Sequence, residues 1–266
     1  MTVATTGNQY LDVYQRMLDH QREHDRLLIH PLPGRPEQPH WLCLKCVREQ
    51  RVETDGWELR KRYSYAVPSE PALDTIAAHS PTGVVEIGAG GGYWAMLLQQ
   101  RGVDVVAYDP DPPGHLRHHW DRRPGGLSEL VMDQELPTWH SGKAWTAVHE
   151  GDHTKAAEHP TRTLLVCWPS YEEPWAAWAV ECYMGDTVIY VGEGSHGCTA
   201  DDRFHALVGD RPYCRHYDND GNKASCEPDC PSLLPPLFAE VAEVEIPQWS
   251  GLHDRLVVYR RLDSIR

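Results

Sequence analysis

The residues best suited to chemistry lie in one stretch, Val85-Glu86-Ile87-Gly88-Ala89-Gly90-Gly91-Gly92-Tyr93-Trp94. A short apolar run enters a glycine turn, and helical spacing follows. Glycine lets a ligand approach the backbone, and a helix N-terminus offers unpaired N–H groups. A dinucleotide-binding turn reads G-x-G-x-x-G and needs Gly or Ala at position 93, where Tyr93 stands. The spacing found is E-x-G-x-G-x-G, with Glu86 two residues before Gly88. The next apolar run, Val105-Val-Ala-Tyr-Asp109, ends in a carboxylate. A carboxylate can accept two hydrogen bonds from a vicinal diol. NAD enzymes keep an acid at a similar place, so the glycine spacing discriminates and Asp109 alone does not. A tight structural turn is the plain alternative.

Three other constellations stand out. Trp168-Pro169-Ser170-Tyr171 follows an apolar run. Val191-Gly192-Glu193-Gly194-Ser195-His196-Gly197-Cys198 brings glycines, a carboxylate and an imidazole together, and imidazole is a side-chain type suited to proton transfer near neutral pH. Cys43-x-x-Cys46 and Cys226-x-x-x-Cys230, with Cys214 and His216 as spares, have the donor types of a tetrahedral zinc site. Free thiols and disulfides stay open for the same residues, and no metal ligand is assigned. Cys167, Cys182 and Cys198 read as packing residues.

These groups need elements to position them. Helical spacing covers 8–29, and a Pro-rich stretch at 30–40 interrupts it. Residues 84–87, 93–101 and 104–108 read as strand, helix and strand, a crossover of the right length for parallel pairing. Further strands are expected at 144–149, 163–168 and 186–191, with helices at 154–159 and 174–183. Residues 240–246 and 255–259 read as a terminal antiparallel hairpin. Alternating strands and helices make this an α/β chain of three layers. Residues 1–70 form an N-terminal helical cap in this reading, and 71–266 the core. Residues 210–236 fit no element and read as an inserted Cys-containing loop.

The E-x-G-x-G-x-G turn followed by Asp109 resembles motif I of class I S-adenosylmethionine-dependent methyltransferases. The resemblance covers roughly 63–200 and the terminal hairpin. It implies a Rossmann-like, seven-stranded, mostly parallel sheet with one reversed strand, and S-adenosyl-L-methionine as cofactor. It places Glu86, Gly88, Gly90, Gly92, Tyr93 and Trp94 around the cofactor, with Asp109 on the ribose hydroxyls. Asp152, in Val148-His-Glu-Gly-Asp152, falls where the family often meets the adenine amino group; a helix N-cap is the equal alternative. Tyr63 and Tyr65 precede the first strand, where a segment often covers the cofactor, and Tyr65 is taken as a contact to the methionine part. Trp168-Pro169-Ser170-Tyr171 is similar to the [D/N/S]-P-P-[Y/F/W] segment of amino-group methyltransferases. Trp168 replaces the amide or carboxylate and Ser170 the second proline, so direct side-chain bonding from position 168 is in doubt, although the backbone carbonyls of Trp168 and Pro169 offer a substitute.

Charge bears on the acceptor. The formal net charge is −14, which disfavours a nucleic-acid partner. No apolar run approaches the ~18 residues of a membrane span. The first thirty residues lack an apolar signal region, so a cytoplasmic location with reduced thiols is expected. Residues 171–245 hold fifteen acids against four bases. In a methyltransferase sheet this stretch borders the acceptor mouth, and a single-sign mouth attracts the opposite charge. The expected reaction is methylation of an amino group on a small cationic acceptor, a polyamine or amino sugar. The nearest named likeness is to aminoglycoside N-methyltransferases of antibiotic biosynthesis. An ammonium has no lone pair, so a base is needed, and His196, Glu193 and Tyr171 are the candidates. Hydroxyl methylation and a non-catalytic cofactor-binding role are the alternatives. A homodimer stays open.

Overall fold

A computed structural model describes residues 7–27, 56–113, 119–122, 128–131, 143–213, 233–249 and 251–262. Cys43, Cys46, Cys214, His216, Cys226 and Cys230, and most of the 210–236 loop, lie outside the described residues. Among the described residues no group of three metal-ligating side chains converges. No described helix is long and apolar enough to cross a membrane.

The helices are α1 (Gln9–Leu27), α2 (Gly56–Arg62), α3 (Glu70–His79), α4 (Tyr93–Gln100), α5 (Trp175–Cys182) and α6 (Asp202–Leu207). The main strands are β1 (Val84–Ile87), β2 (Val105–Asp109), β5 (His149–Glu150), β6 (Thr163–Cys167), β7 (Thr187–Gly192), β8 (Phe238–Glu245) and β9 (Arg255–Arg261). They form one seven-stranded sheet in the order β5-β2-β1-β6-β7-β9-β8. The first five are parallel, and β9 runs antiparallel between β7 and β8. A short antiparallel pair, β3 (His119–Arg122) and β4 (Ser128–Val131), stands apart. This is the seven-stranded α/β architecture the sequence implies, with the reversed strand supplied by the terminal hairpin.

Strand alternation sends residues to two helical layers. Val84, Leu165, Ile189, Val191, Leu256 and Val258 face α1–α4 with Tyr10, Leu73, Trp94 and Leu98. Val85, Ile87, Leu164, Val166, Val188 and Tyr190 face α5 and α6 with Ala176, Val180 and Phe204. The N-terminal helix belongs to the first layer. Tyr10 stacks on Tyr63 at 4.9 Å, and its backbone N–H donates to the Tyr93 hydroxyl at 3.0 Å.

Two expected elements differ. Of 144–149 only His149 is strand, in the two-residue strand His149–Glu150. Upstream, the Trp145 N–H donates to Gly91 O at 2.8 Å, so the segment is drawn onto the glycine loop instead of the sheet. The expected helix at 154–159 is a 3₁₀ turn, His153–Glu158. The helices α3 and α6 and the β3–β4 pair were not expected. Ser69 caps α3 and Asp201 caps α6, each by a side-chain bond to a backbone N–H of the first turn.

Candidate active site at the carboxyl ends of the strands

The turn from β1 to α4 is fixed by its neighbour strand. The N–H groups of Gly88 and Ala89 both donate to Tyr108 O, at 2.9 and 3.0 Å. The Gly90 N–H donates to Asp109 Oδ2 and the Asp111 N–H to Asp109 Oδ1, both at 2.8 Å. Gly88, Gly90 and Gly92 all have positive φ, which favours glycine. Their surroundings separate them. A Cβ on Gly88 would lie 2.6 Å from the Trp175 ring, one on Gly91 2.7 Å from Lys143 O, and one on Gly92 2.8 Å from Val148. A Cβ on Gly90 would meet nothing within 4 Å. Three glycines therefore admit the protein's own atoms, and Gly90 faces open space beside the Asp109 carboxylate. Each oxygen of Asp109 accepts one backbone bond and keeps a lone pair for a diol. The residues fit a nucleoside with free ribose hydroxyls.

On the face covered by α1–α4, three carboxylates line up at one end of four adjacent strands. Glu86 is in β1, Glu193 follows β7, and Asp254 precedes β9; Cys167 and Trp168 at the end of β6 lie between them. All three acids are buried. Burial pushes the Glu86 carboxyl up to about 8; the Ala95 N–H opposes this and Asp109 adds to it. One Glu86 oxygen, Oε2, has no hydrogen-bond partner among the described residues.

Glu193 differs because it is saturated. Its Oε2 accepts the Cys198 N–H at 2.6 Å and its Oε1 the His253 N–H at 2.8 Å. Burial raises its pKa, but the Cys198 thiol and N–H and the His253 N–H outweigh this and hold it below the ordinary carboxylate range. The same contact, after burial, pushes the Cys198 thiol up to about 11. Glu193 thus clasps the 193–198 loop to the start of β9, and the general-base expectation is corrected: a carboxylate held ionised by three donors is a poor proton acceptor. Cys198 likewise is a ligand of that clasp and not only a packing residue. Glu193→Ala should lower stability by about 1.5–3 kcal/mol. Because the folded pKa is depressed, that contribution is present above the unfolded value near 4.5 and is lost as pH falls through the folded one. Urea melts of both proteins at pH 7 and pH 4 check this: the gap should shrink at the lower pH.

Asp254 was not among the sequence-derived candidates. Its Oδ1 accepts the Trp168 indole N–H at 2.9 Å, and its Oδ2 has no partner among the described residues. Burial raises its carboxyl to about 6, Trp168, Arg60 and His253 pull it down, and Glu193 adds to the rise. The indole of Trp168 stacks on Tyr65 at 4.7 Å. Trp168 has φ 50°, left-handed backbone that a bulky residue rarely adopts. That turn aims its ring back under the N-terminal segment. The carbonyl of Pro169 accepts the Ala200 N–H at 3.1 Å, which occupies one of its two lone pairs.

Tyr171, Glu193, His196 and Cys198 converge on one cavity of about 610 Å³, which Asp210, His253 and Arg255 complete. His196 is exposed at its mouth, and Tyr171 is more than half exposed. Tyr93 and Trp94 instead bury their side chains in the core, with the Tyr93 hydroxyl donating to Asn8 Oδ1 at 3.0 Å. Only their backbones border the glycine turn, which corrects their assignment as side-chain contacts. Asp152 is the N-cap of the 3₁₀ turn, accepting the Thr154 N–H at 2.9 Å. Much of the acidic excess is paired or remote: Glu181 with Arg203 at 2.5 Å, Asp202 with Arg211 at 2.7 Å, and Glu243 on edge strand β8 with Arg255 at 2.6 Å. Among the described residues, the carboxylates and guanidinium lining the cavity are Glu193 and Asp210 against Arg255.

No protein-family description and no curated relative matches this chain. Solved structures do. The magnesium protoporphyrin IX methyltransferase of Synechocystis, with bound S-adenosylmethionine, is 11% identical over 72% of this chain and 77% of its own, TM-score 0.36. The Burkholderia thailandensis 1,6-didemethyltoxoflavin-N1-methyltransferase is 12% identical over 98% and 92%, TM-score 0.34. The CcbJ methyltransferase of Streptomyces caelestis is 12% identical over 73% and 90%, TM-score 0.35. Likenesses this distant carry no substrate, and the fold assignment rests on the strand order itself.

Proposed function

We propose that the chain transfers a methyl group from S-adenosylmethionine to an amino group of a small cationic acceptor, with an amino sugar as the leading class. The observation that carries the reading is the open face of Gly90 beside a carboxylate that keeps a lone pair on each oxygen. The cofactor supplies a methyl group made electrophilic by a sulfonium. Gly90 lets the nucleoside approach the backbone, and Asp109 holds its diol. In this reading the stacked rings of Tyr65 and Trp168, at the carboxyl end of β6, would border the methyl group. The acceptor nitrogen's lone pair forms the new N–C bond as the C–S bond breaks, and its proton must leave. His196, exposed on the cavity, is the candidate to take it, and the saturation of Glu193 argues against that residue. Acceptor entry through the cavity at Tyr171 fits a molecule the size of an amino sugar.

A cofactor-binding protein without catalysis is the second reading, favoured by the saturation of Glu193 and by Trp168 standing where an acid or amide is expected. Isothermal titration with S-adenosylhomocysteine, followed by amines, separates the two: catalysis needs both to bind. Cavity charge also sets a salt signature. The apparent KM for an amine should rise with ionic strength, because screening acts over about 10 Å at 0.1 M, and cofactor affinity should not. Equal methylation of neutral phenols with no salt effect would favour hydroxyl methylation.

The proton gives a further expectation. If His196 takes it, His196→Ala lowers kcat and removes the rising limb of kcat with pH between roughly 6 and 9, while cofactor affinity holds. A limb that survives and follows the acceptor's own amine pKa assigns deprotonation to solvent.

A further inference from the structure

Beside the cavity lies an ion pair that the proposed reaction does not use. His205, in α6, is buried. Its Nε2 lies 3.1 Å from Thr199 O. Its Nδ1 lies 3.0 Å from Oδ2 of the cavity residue Asp210, in ion-pair contact without the alignment of a hydrogen bond. A carbonyl and a carboxylate oxygen only accept, so both ring nitrogens face acceptors, and the imidazolium, with an N–H at each, suits both. The His205 backbone is engaged as well: its carbonyl accepts the N–H groups of Asp210 at 2.8 Å and Arg211 at 3.4 Å. Those two residues hold Ser195 from both sides. Asp210 Oδ2 accepts the Ser195 N–H at 2.8 Å, and Arg211 Nη1 donates to Ser195 O at 3.4 Å while pairing with Asp202 at 2.7 Å. Ser195 O belongs to the peptide bond that leads into His196. We infer that the His205–Asp210 pair positions His196: the imidazolium is the hub on which the 193–199 loop hangs, and loss of its proton releases that loop. The inference rests on the reading of His196 as the group that takes the proton, and goes beyond it by naming what aims that ring.

Thr199 closes the loop at its other end. Its Oγ1 accepts the Glu193 N–H at 2.9 Å and meets the Tyr190 hydroxyl at 2.5 Å. One ring therefore bridges both ends of the loop, reaching Thr199 directly and Ser195 through Asp210. Without its Nδ1 proton the ring would turn a lone pair toward the Asp210 carboxylate; without its Nε2 proton Thr199 O would lose that donor, and either loss leaves a buried group poorly matched. His205 does most to hold the Asp210 carboxyl below its ordinary range; burial opposes this, and the Ser195 N–H and Arg255 add to it. Among the described residues, the titratable and charged groups facing the pair come from four places. Asp201 caps the helix that carries His205, and Tyr190 of β7 meets the His205 ring edge-on at 6.1 Å. Arg255 of β9 places Nη2 3.5 Å from Asp210 Oδ1, and Tyr259 of the same strand is near enough to feel the Asp210 charge. Arg255 reaches the other Asp210 oxygen, so it does not replace His205 at Oδ2 or at Thr199.

The experiment follows two signals of the full chain by NMR across a pH titration: the labelled ring nitrogens of His205, assigned with His205→Gln, and the backbone amide of Ser195, assigned with Ser195→Ala. The Ser195 amide should shift, and its hydrogen exchange should quicken, over the same pH interval in which the His205 ring loses a proton. Asp210→Asn keeps an oxygen for the Ser195 N–H but not the charge opposite His205, and in that variant the two signals should no longer move together. Turnover of S-adenosylmethionine with kanamycin supplies the second readout. Asp210→Asn and His205→Gln should each lower kcat about 10–100-fold, the cost of a misplaced catalytic group, and hold S-adenosylhomocysteine affinity within about twofold. A merely structural pair would lower the melting temperature and leave kcat per folded molecule unchanged. If His205→Gln does not fold, Asp210→Asn and the wild-type titration decide. A Ser195 amide indifferent to the His205 proton, a His205 ring with a single N–H throughout the titration, or unchanged kcat in both variants overturns the assignment. Coupled signals in a protein that transfers no methyl group overturn the methyl-transfer reading and leave the hub of the loop standing.

Discussion

Asp109→Ala should weaken S-adenosylhomocysteine binding by about 10–100-fold, the worth of a charge-assisted hydrogen bond. The carboxylate has two tasks here. It receives the Gly90 and Asp111 N–H groups at 2.8 Å, which shapes the loop, and it offers its remaining lone pairs to the ribose. Asp109→Asn keeps one acceptor oxygen and should lose less. Gly90→Val tests the same place by volume. A Cβ there meets no protein atom within 4 Å, so the fold bears only the strain of a β-branched residue at φ 55°, about 1–3 kcal/mol. Binding, by contrast, should fall below detection because the side chain fills the approach. Gly88→Ala is the control: its Cβ enters the Trp175 ring, and it should cost stability first. Calorimetric affinity beside the melting temperature sorts the four variants. Unchanged affinity in both Asp109→Ala and Gly90→Val would place the cofactor elsewhere.

Glu86→Gln should make the protein more stable at alkaline pH, an uncommon result for a glycine-loop acid. Burial raises the folded carboxyl from 4.5 to about 8, with Asp109 adding to the rise and the Ala95 N–H opposing it. The folded state therefore binds a proton that the unfolded state has released. Wild-type stability falls as pH rises from about 4.5 to about 8 and stays low above that. Gln has no charge to bury and keeps an oxygen for the Ala95 N–H. The difference should be near zero at pH 4.5 and should grow with pH to an upper bound on the order of 5 kcal/mol near pH 9. Urea melts across that range check it. A gap that is constant with pH, or of opposite sign, would mean that Glu86 is ionised in the folded protein.

Local chemistry explains which parts of this were legible in the sequence. The strand–turn–helix–strand unit at 84–109 announces itself through a buried apolar run, three positive-φ glycines and a following helical spacing. The terminal hairpin shows through two β-branched runs. The 144–149 segment has strand composition too, yet Trp145 bonds to Gly91, and no local pattern carries that partner. Glu193 looked like a base because its glycine-rich surroundings suggest access; the three donors that saturate it come from Cys198 and from His253, 60 residues away. Asp254 was passed over as a turn residue because it sits between two hairpin strands. Its burial depends on pairing β7 with β9, which sets Gly192 opposite Arg255 and brings Asp254 level with the Glu193 loop. Tyr93 and Trp94 follow the glycines directly and so drew a ligand role, but helix α4 turns both rings into the core.

The most direct test of the account is transfer of a tritiated methyl group from S-adenosylmethionine to a mixed panel of amino sugars, polyamines and phenols, with products resolved by mass spectrometry. The account predicts label on an amine nitrogen bearing at least one N–H, one S-adenosylhomocysteine formed per methyl transferred, and loss of that label in Gly90→Val. Label found only on phenolic oxygen, or none transferred by a protein that binds S-adenosylhomocysteine, would contradict it.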